Sequence, residues 1–197
     1  YNPMINAGAI VVASCLASEI SFDTMLDTIR ALCMDPDINL DKKVYHSEMS
    51  HISRNRAIAY LLESKGYIEK NKDVENSLHF YVKMCSLSVT AESLAGLGLI
   101  LANDGIHPDT GKRLLSSQAV KIVKTLMFTC GMYDGSGEFA VRVGIPSKSG
   151  VGGGILSVVD GEMGIGIFGP ALDKKGNSVA GECVLEYMSH ELHLHMF

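Results

Sequence analysis

The sequence predicts an α+β fold in which a helical cluster packs against an antiparallel sheet. Helical patterns fill the first two thirds of the 197-residue chain. The pattern then changes at "GGILSVVDGEMGIGIFGP", where two short β-rich runs are joined by Asp160-Gly161, which is a hairpin signal. A mainly helical, amphipathic segment from Asn177 to the end completes an arrangement of helices against a sheet.

Four helices are predicted in the first half of the chain. The segment "INAGAIVVASCLA" is apolar on nearly every side, which is typical of a buried helix. The segment "SFDTMLDTIRALCM" has apolar residues spaced three and four apart, and Ser21 or Asp23 is placed to cap it. Two further helices are predicted over residues 47–65 and 73–86.

Two more helices precede the hairpin. The segment "TAESLAGLGLILAN" is predicted to begin at Thr90 and to stop at residues 103–105, "NDG". The segment "SSQAVKIVKTLMFTCG" is predicted to be capped by Ser116 or Ser117 and closed by Gly131.

The composition indicates a globular chain, since 47% of the residues are hydrophobic and 20% are charged. With a net charge of −5, the chain has no excess of basic residues that would attract nucleic acid or an anionic membrane. We therefore expect neither nucleic acid nor a membrane among the partners. The sequence has no run of about 18 apolar residues, so no transmembrane helix is predicted.

The cysteines are scattered and form no Cys-x-x-Cys pair. The five are Cys15, Cys33, Cys85, Cys130 and Cys183. Most have apolar neighbours in the sequence, which favours buried free thiols in a reducing compartment, and we expect a cytoplasmic protein. A nucleophilic cysteine is the alternative.

Two short motifs have structural explanations that we favour over functional ones. "GIGIFG" matches the dinucleotide pattern GxGxxG, but Gly164 and Gly166 alternate with isoleucines inside a predicted strand. We interpret it as a strand with one bare face for close packing. "HELHLH" could hold a metal, with His190 and His193 on one helical face, but histidines at a helix C-terminus also suit the helix dipole. We expect no metal there.

A polar pair occurs in "SEMSHISRNRAIAY". Glu48 and Asn55 are seven residues apart, so within one predicted helix they project from the same face, with His51 and Ile52 between them. The pair is compatible with a solvated helix surface. It is also compatible with a grip on a small zwitterion, in which Glu48 binds an ammonium and Asn55 a carboxylate.

Two tyrosines lie near chemistry-bearing positions. Tyr81 falls within the amphipathic helix at "HFYVKMCS", where its spacing alone suits the core. Tyr133 comes just after a predicted helix end, in the glycine-rich turn "CGMYDGSGEFA". Functional residues concentrate on such turns.

The triplet Lys148-Ser149-Gly150 fits the Lys-[Ser/Thr]-Gly signature of penicillin-binding and β-lactamase-type serine hydrolases. Three residues occur often by chance, but a predicted strand over residues 155–159 lies directly behind them. An oxyanion hole needs backbone N–H groups that face the substrate, and glycine leaves that approach open.

Five segments, in order along the chain, together resemble the serine-dependent glutaminases. They are "NPMINAGAI" (2–10), "SEMSHISRNRAIAY" (47–60), "FTCGMYDGSGEFA" (128–140), "PSKSGVGGGI" (146–155) and "GPALDKKGNSVAG" (169–181). The resemblance implies a β-lactamase-like fold and hydrolysis of L-glutamine to L-glutamate and ammonia, with no metal or organic cofactor. We also expect a homo-oligomer, although no residue pattern supports that expectation.

The resemblance also implies which residues contact L-glutamine: Asn2, Glu48, Asn55, Tyr81, Tyr133 and Val151. Glu48 would bind the α-ammonium, and Asn2, Asn55 and Tyr81 would hold the carboxylate end and neighbouring polar atoms. Tyr133, beside the nucleophile, would help to move protons, and the N–H of Val151 would be one oxyanion donor. Catalysis would then involve Tyr133, Tyr81 and this N–H, while Gly150 and residues 152–154 would keep the backbone around Val151 open.

One part of the family pattern is absent from the sequence. No lysine is preceded, three positions earlier, by serine, so the chain lacks the Ser-x-x-Lys motif that carries the family's nucleophile. In the family that motif lies upstream of the Asn-Pro-Met segment with which this chain begins. We therefore expect Tyr1 to be an internal residue and residues 1–197 to be the C-terminal two thirds of a single catalytic domain.

Residues 1–197 alone are accordingly expected to release no ammonia from glutamine. Ammonia release by the purified fragment, measured at high protein concentration, tests this expectation. Measurable turnover would show that the nucleophile lies within these residues.

Two other functions are compatible with the residues. A penicillin-recognising hydrolase of the same fold would share the Lys-Ser-Gly triplet, but Glu48 and Asn55 suit a free amino acid better. A noncatalytic binding or assembly module could also keep the fold. A Ser-x-x-Lys motif upstream of Tyr1 would support an enzyme, and its absence would support the module.

Overall fold

The computed structural model describes residues 2–197, which form two compact units. The helical unit contains residues 2–30 and 36–89. The sheet unit contains residues 31–35 and 90–197. Within residues 2–197, no single helix is long and apolar enough to cross a membrane, although two consecutive helices with a 115° bend between them pass the same test in combination.

Short helices and one pair of very short strands build the helical unit. The helices are α1 (Asn6–Ala17), α2 (Phe22–Cys33), α3 (Lys42–Ser50), α4 (Ser53–Ser64) and α5 (Val74–Cys85). Strands β1 (Asn39–Leu40) and β2 (Leu87–Ser88) pair antiparallel. Helices α1, α4 and α5 pack on one another around an aliphatic core of Ile10, Ile52, Ala59, Leu62, Ile68, Val74, Leu78 and Val82. Burying one large aliphatic side chain stabilises a fold by about 1.5–3 kcal/mol, so this core fixes the three helices together.

The single helix predicted over residues 47–65 is wrong, because the chain forms two helices there. The backbone leaves helical geometry at His51 (φ −113°, ψ 17°), where α3 ends, and α4 begins two residues later. Ile52 lies in this break, is 3% exposed and belongs to the aliphatic core. The turn therefore directs Ile52 inwards, away from the solvent face on which a continuous helix would have placed it with Glu48 and Asn55.

The predicted helix starts are confirmed where a side chain caps the first turn. Ser21 rather than Asp23 caps α2, since its hydroxyl accepts the Thr24 N–H at 3.1 Å. Thr90 forms a capping box with Ser93 at the start of the helix α6 (Ala91–Ala102). The helix α7 (Ser117–Cys130) is capped by Ser116 and closed by Gly131.

The sheet unit combines α6 and α7 with two later helices and a three-stranded sheet. Helix α8 (Ser136–Arg142), which was not predicted, follows a short 3-10 turn, and α9 (Val179–Glu191) is the predicted C-terminal helix. Strands β3 (Ser147–Ser149), β4 (Gly154–Val159) and β5 (Met163–Phe168) form an antiparallel sheet in the order β3-β4-β5. The hairpin turn at Asp160-Gly161 between β4 and β5 is confirmed.

Close packing explains the glycines of "GIGIFG". Helix α6 lies across β4 and β5, and a Cβ on its Gly98 would approach the Cα of Gly164 to 2.7 Å. Gly164 and Gly166 in turn face the backbone of α6. The prediction of a strand with one bare face is confirmed.

The histidine-rich C-terminus departs from the predicted helical face. Helix α9 ends at Glu191 with Leu192 as its cap, and His193 follows in left-handed backbone geometry (φ 55°). The prediction that His190 and His193 share one helical face is therefore wrong. Among residues 2–197, no group of three or more histidine, cysteine or carboxylate side chains is arranged to hold a metal.

All five cysteines are free thiols, but their burial differs from the expectation. Cys33 is buried, and burial raises the pKa of its thiol to about 11, which keeps it protonated and unreactive. Cys15, Cys85 and Cys183 are exposed, so the expectation of burial is wrong for these three.

Candidate active site

The residues that the resemblance implicates fall into both compact units. The helical unit holds four of them, Asn2, Glu48, Asn55 and Tyr81, and the sheet unit holds Tyr133 and Val151.

Glu48 and Tyr81 come together at the thiol of Cys85. Glu48 lies exposed on α3, whereas Tyr81 and Cys85 lie on α5. Although Cys85 is exposed as a residue, neighbouring atoms partly desolvate its sulfur, and this is the main cause of the raised pKa of the thiol. The nearby Glu48 carboxylate raises the pKa further, while a hydrogen bond with the Tyr81 side chain opposes both effects. An exposed carboxylate and a tyrosine hydroxyl on neighbouring helices can together bind an ammonium group.

Asn55 is paired with a residue that the sequence analysis did not select. The side-chain Nδ2 of Asn6, in the first turn of α1, donates a hydrogen bond to the Oδ1 of Asn55 at 2.9 Å. With its oxygen engaged in this way, Asn55 keeps its NH₂ group, a donor pair, for another partner. A carboxylate is a suitable partner for such donors.

Asn2 has a local role in the structure. Its Oδ1 accepts the N–H of Met4 at 2.8 Å, which caps the turn that leads into α1. The backbone of this turn packs so closely on Gly8 that a Cβ there would lie 2.5 Å from the Cα of Pro3. Of the two asparagines in "NPMIN", it is thus Asn6, and not Asn2, that forms the hydrogen bond with Asn55.

Tyr133 occupies a strained backbone conformation in the 3-10 turn Tyr133–Gly135. Its φ of 52° lies in the left-handed region, which bulky residues rarely adopt. The hydroxyl of Ser136 holds this turn by accepting the N–H of Met132 at 3.0 Å and donating to the carbonyl of Tyr133 at 2.8 Å. Residues in such geometry cluster at functional sites.

Val151 lies at the tip of the loop between β3 and β4. The loop closes on itself, because the N–H of Gly150 donates to the Gly154 carbonyl and the N–H of Gly153 donates to the Gly150 carbonyl, both at 2.9 Å. The backbone N–H of Val151 instead lies close to the Tyr133 hydroxyl and lowers the pKa of that group, which opposes the effect of burial. Gly153 requires its glycine, since its φ is +95° and a Cβ would lie 2.7 Å from the Gly169 carbonyl oxygen.

Lys148 brings a third functional group to the same place. Its Nζ lies 4.6 Å from the centre of the Tyr133 ring and donates to the carbonyl of Ser149. Burial lowers the pKa of this lysine, and burial also raises the pKa of Tyr133. The two side chains thus share a partly dry environment in which their charges matter more than in water.

The sheet unit therefore collects a hydroxyl, a backbone N–H and an amine around one point. This is a suitable set for acyl transfer, in which a carbonyl oxygen becomes negatively charged and a leaving group takes up a proton. A substrate carbonyl that takes the place of the Tyr133 hydroxyl beside the Val151 N–H would be placed to accept a hydrogen bond from it.

Two residues of this arrangement were not selected from the sequence. Lys148 was noted within its triplet but given no role, and its proximity to Tyr133 is not apparent from the sequence. Asn6 lies in the quoted "NPMINAGAI" segment, but the pattern there gives no reason to prefer it over Asn2. Only the contact between Asn6 and Asn55 distinguishes them.

Comparisons with known proteins agree on one family. The sequence model of the family described as Glutaminase matches residues 1–197. A glutaminase of Clostridium tetani is 51% identical over 199 residues, which cover 100% of this chain and 64% of the relative. A glutaminase of Fusobacterium nucleatum is 52% identical over 200 residues, again 100% of this chain and 65% of the relative.

A solved structure agrees with these sequences. The Bacillus subtilis glutaminase in covalent complex with 5-oxo-L-norleucine superimposes with a TM-score of 0.94 at 40% identity, over 100% of this chain and 70% of that chain. The predicted α+β, β-lactamase-like fold class is thereby confirmed. The chain spans 64–65% of the length of the two curated relatives. From its sequence and its fold alike, the chain belongs to the glutaminase family.

Proposed function

We propose that the full-length protein hydrolyses L-glutamine to L-glutamate and ammonia through a serine nucleophile that lies outside residues 1–197. The observation that carries the proposal is that the Val151 N–H lies close to the Tyr133 hydroxyl, beside Lys148. A backbone N–H that can stabilise an oxyanion therefore lies next to a hydroxyl that can transfer a proton. Membership of the glutaminase family supports glutamine as the substrate.

The amino-acid end of glutamine is assigned to Glu48, Asn55, Tyr81 and Asn2. Glu48 binds the α-ammonium, with the Tyr81 side chain close to the same place. Asn55 donates its NH₂ group to the α-carboxylate, because its oxygen is engaged by Asn6. Asn2 holds a neighbouring polar atom of the substrate, while its side-chain oxygen caps its own turn.

The amide end is assigned to Tyr133 and Val151. The serine oxygen forms a bond to the side-chain amide carbon of glutamine, and the carbonyl oxygen takes the negative charge, which the Val151 N–H stabilises. The carbon–nitrogen bond then breaks, and the nitrogen gains a proton by way of the Tyr133 hydroxyl and leaves as ammonia. Water finally cleaves the ester, releasing glutamate and restoring the serine.

A reaction of a related protein supports a nucleophilic mechanism. The Bacillus subtilis glutaminase forms a covalent complex with 5-oxo-L-norleucine by reaction with 6-diazo-5-oxo-L-norleucine. We propose that the full-length protein reacts with the same compound.

The direct test is release of glutamate and ammonia from L-glutamine by the purified full-length protein. The proposal expects equal amounts of the two products and loss of turnover after treatment with 6-diazo-5-oxo-L-norleucine. A penicillin-recognising enzyme would instead open a β-lactam and leave glutamine intact, and a noncatalytic module would do neither. Either result would overturn the proposed function.

Glu48→Gln in the full-length protein is expected to raise KM for L-glutamine by about tenfold or more. The substitution removes one charge while keeping the size of the side chain, and hydrogen bonds between charged groups contribute about 1.5–3 kcal/mol. Steady-state kinetics measure the effect.

Glu63→Gln, also in the helical unit, is the matched control and is expected to leave KM unchanged. Equal KM values for the wild-type and Glu48→Gln proteins would show that Glu48 does not hold the ammonium.

Three further expectations belong to the same proposal. We propose a single catalytic domain, a homo-oligomer and a cytoplasmic location. The free thiols of all five cysteines are compatible with a reducing compartment. Val184 and Tyr187 expose apolar surface on one side of α9, where a second copy could pack. Light scattering of the full-length protein tests the oligomer, and a monomer would contradict it.

A further inference from the structure

A short loop behind the Tyr133 turn is ordered by its own hydrogen bonds. It comprises residues 173–177, "DKKGN". The carboxylate of Asp173 accepts the N–H groups of Lys175 and Asn177 at 2.8 and 2.9 Å, and the Asp173 N–H donates to the Asn177 carbonyl at 2.8 Å. The loop therefore needs no support from Tyr133 to keep its shape.

Asn177 reaches from this loop to the peptide that precedes Tyr133. Its side chain is completely buried, and its Nδ2 donates to the carbonyl of Met132 at 3.2 Å. A Cβ on Gly135 would lie 3.3 Å from this Nδ2, so a side chain at residue 135 would crowd the amide. Both backbone polar groups of Met132 are thus held: its N–H donates to Ser136, and its carbonyl accepts from the side chain of Asn177 and from the N–H of Gly135 at 3.0 Å.

The same loop backs both parts of the proposed catalytic pair. A Cβ on Gly176 would lie 3.6 Å from Cγ1 of Val151 and 3.7 Å from the ring of Tyr133. The loop is also tethered to α8 by an ion pair of 2.6 Å between Lys175 and Glu138. Surface ion pairs contribute little, so the buried amide is the stronger connection.

The burial of Asn177 is incompletely compensated. Within the part of the chain that the structure describes, its Oδ1 has no hydrogen-bond partner. An unsatisfied buried oxygen destabilises a fold, so replacing Asn177 by alanine removes one favourable and one unfavourable interaction. The amide therefore stabilises the fold less than a fully hydrogen-bonded buried amide would.

We propose that Asn177 is a positioning residue: by holding the Met132 carbonyl, it keeps Tyr133 in its left-handed conformation with the hydroxyl at the Val151 N–H. The inference rests on the proposed function, since it concerns the residue assigned to proton transfer. It adds a residue that does not touch the substrate and acts through Tyr133.

A double-mutant cycle in the full-length protein tests the proposal. Asn177→Ala is expected to lower kcat by about tenfold, the rate equivalent of one lost hydrogen bond, with KM changed less than about twofold. In a Tyr133→Phe background the same substitution is expected to lower kcat by less than about twofold, because the hydroxyl that it positions is already absent.

The matched control is Asn103→Ala. Asn103 makes the same kind of bond, from Nδ2 to the carbonyl of Ile106 at 2.9 Å, at the end of α6. It is expected to leave kcat unchanged, and both alanine variants should melt within about 4 °C of the wild type. If Asn177→Ala does not fold, Asn177→Leu, which keeps the shape and removes the donor without burying a charge, replaces it with the same expectation.

Equal losses of kcat in the two backgrounds, or no loss in either, would overturn the role of Asn177 while leaving the proposed function intact. Failure of both Asn177 variants to fold would also overturn it, since the residue would then serve the whole unit. Absence of glutamine hydrolysis by the wild-type protein is a different result, because it refutes the proposed function itself.

Discussion

Val151→Pro is expected to lower kcat for glutamine by about 10²–10³-fold in the full-length protein. Proline has no N–H, so the substitution deletes the donor that the structure directs at the Tyr133 hydroxyl. Loss of one oxyanion donor typically has an effect of this size. Steady-state kinetics measure it, and circular dichroism with thermal melting must show that the variant is folded, since proline also restricts the preceding residue.

Val151→Ala is the matched comparison. The side chain of Val151 is 71% exposed, so its truncation removes little packing and keeps the N–H. This variant is expected to retain most activity. If the folded proline variant turned over glutamine as fast as the alanine variant, the oxyanion assignment would be refuted and the glycine-rich loop would be only a turn leading into β4.

Tyr133→Phe is expected to lower kcat by about 10²-fold or more, the usual contribution of general acid–base catalysis. Burial raises the pKa of Tyr133, so the hydroxyl keeps its proton at neutral pH and can pass it to the leaving nitrogen. The substitution removes one oxygen and little packing, so the melting temperature should change little.

The effect of Tyr133→Phe on kcat shows which role Tyr133 has. A loss confined to kcat supports proton transfer. A kcat near that of the wild type, measured under saturating glutamine, would mean that Tyr133 only lines the pocket.

The elements that could be predicted from the sequence are those determined by local interactions. The starts at Thr90 and Ser116 depend on side chains that cap N–H groups three residues away, and these bonds are present. The hairpin depends on a turn at Asp160-Gly161 between two β-rich runs, which is equally local.

The break between α3 and α4 could not be predicted from spacing. Residues 47–65 read as one helix, because the pattern does not reveal that Ile52 is needed in a core formed with α1 and α5. Tertiary burial outweighed local propensity there. The assignment of Glu48 and Asn55 to one helical face failed for this reason.

The contacts that refine the site join distant parts of the chain. Asn6 and Asn55 are 49 residues apart, and Asn177 and Met132 are 45 apart. No periodicity or capping rule connects such positions. The glycine-rich turn at Tyr133 was visible in the sequence, but its left-handed backbone and its contacts with Ser136 and Asn177 were not.

The central claim is that the Val151 N–H faces the reacting carbonyl, and a crystal structure of the full-length protein after reaction with 6-diazo-5-oxo-L-norleucine tests it most directly. The account predicts that the ketone oxygen of the bound product lies about 2.7–3.1 Å from the Val151 nitrogen, in place of the Tyr133 hydroxyl. A ketone oxygen bound by other donors, with the Val151 N–H still on the Tyr133 hydroxyl, would contradict the account.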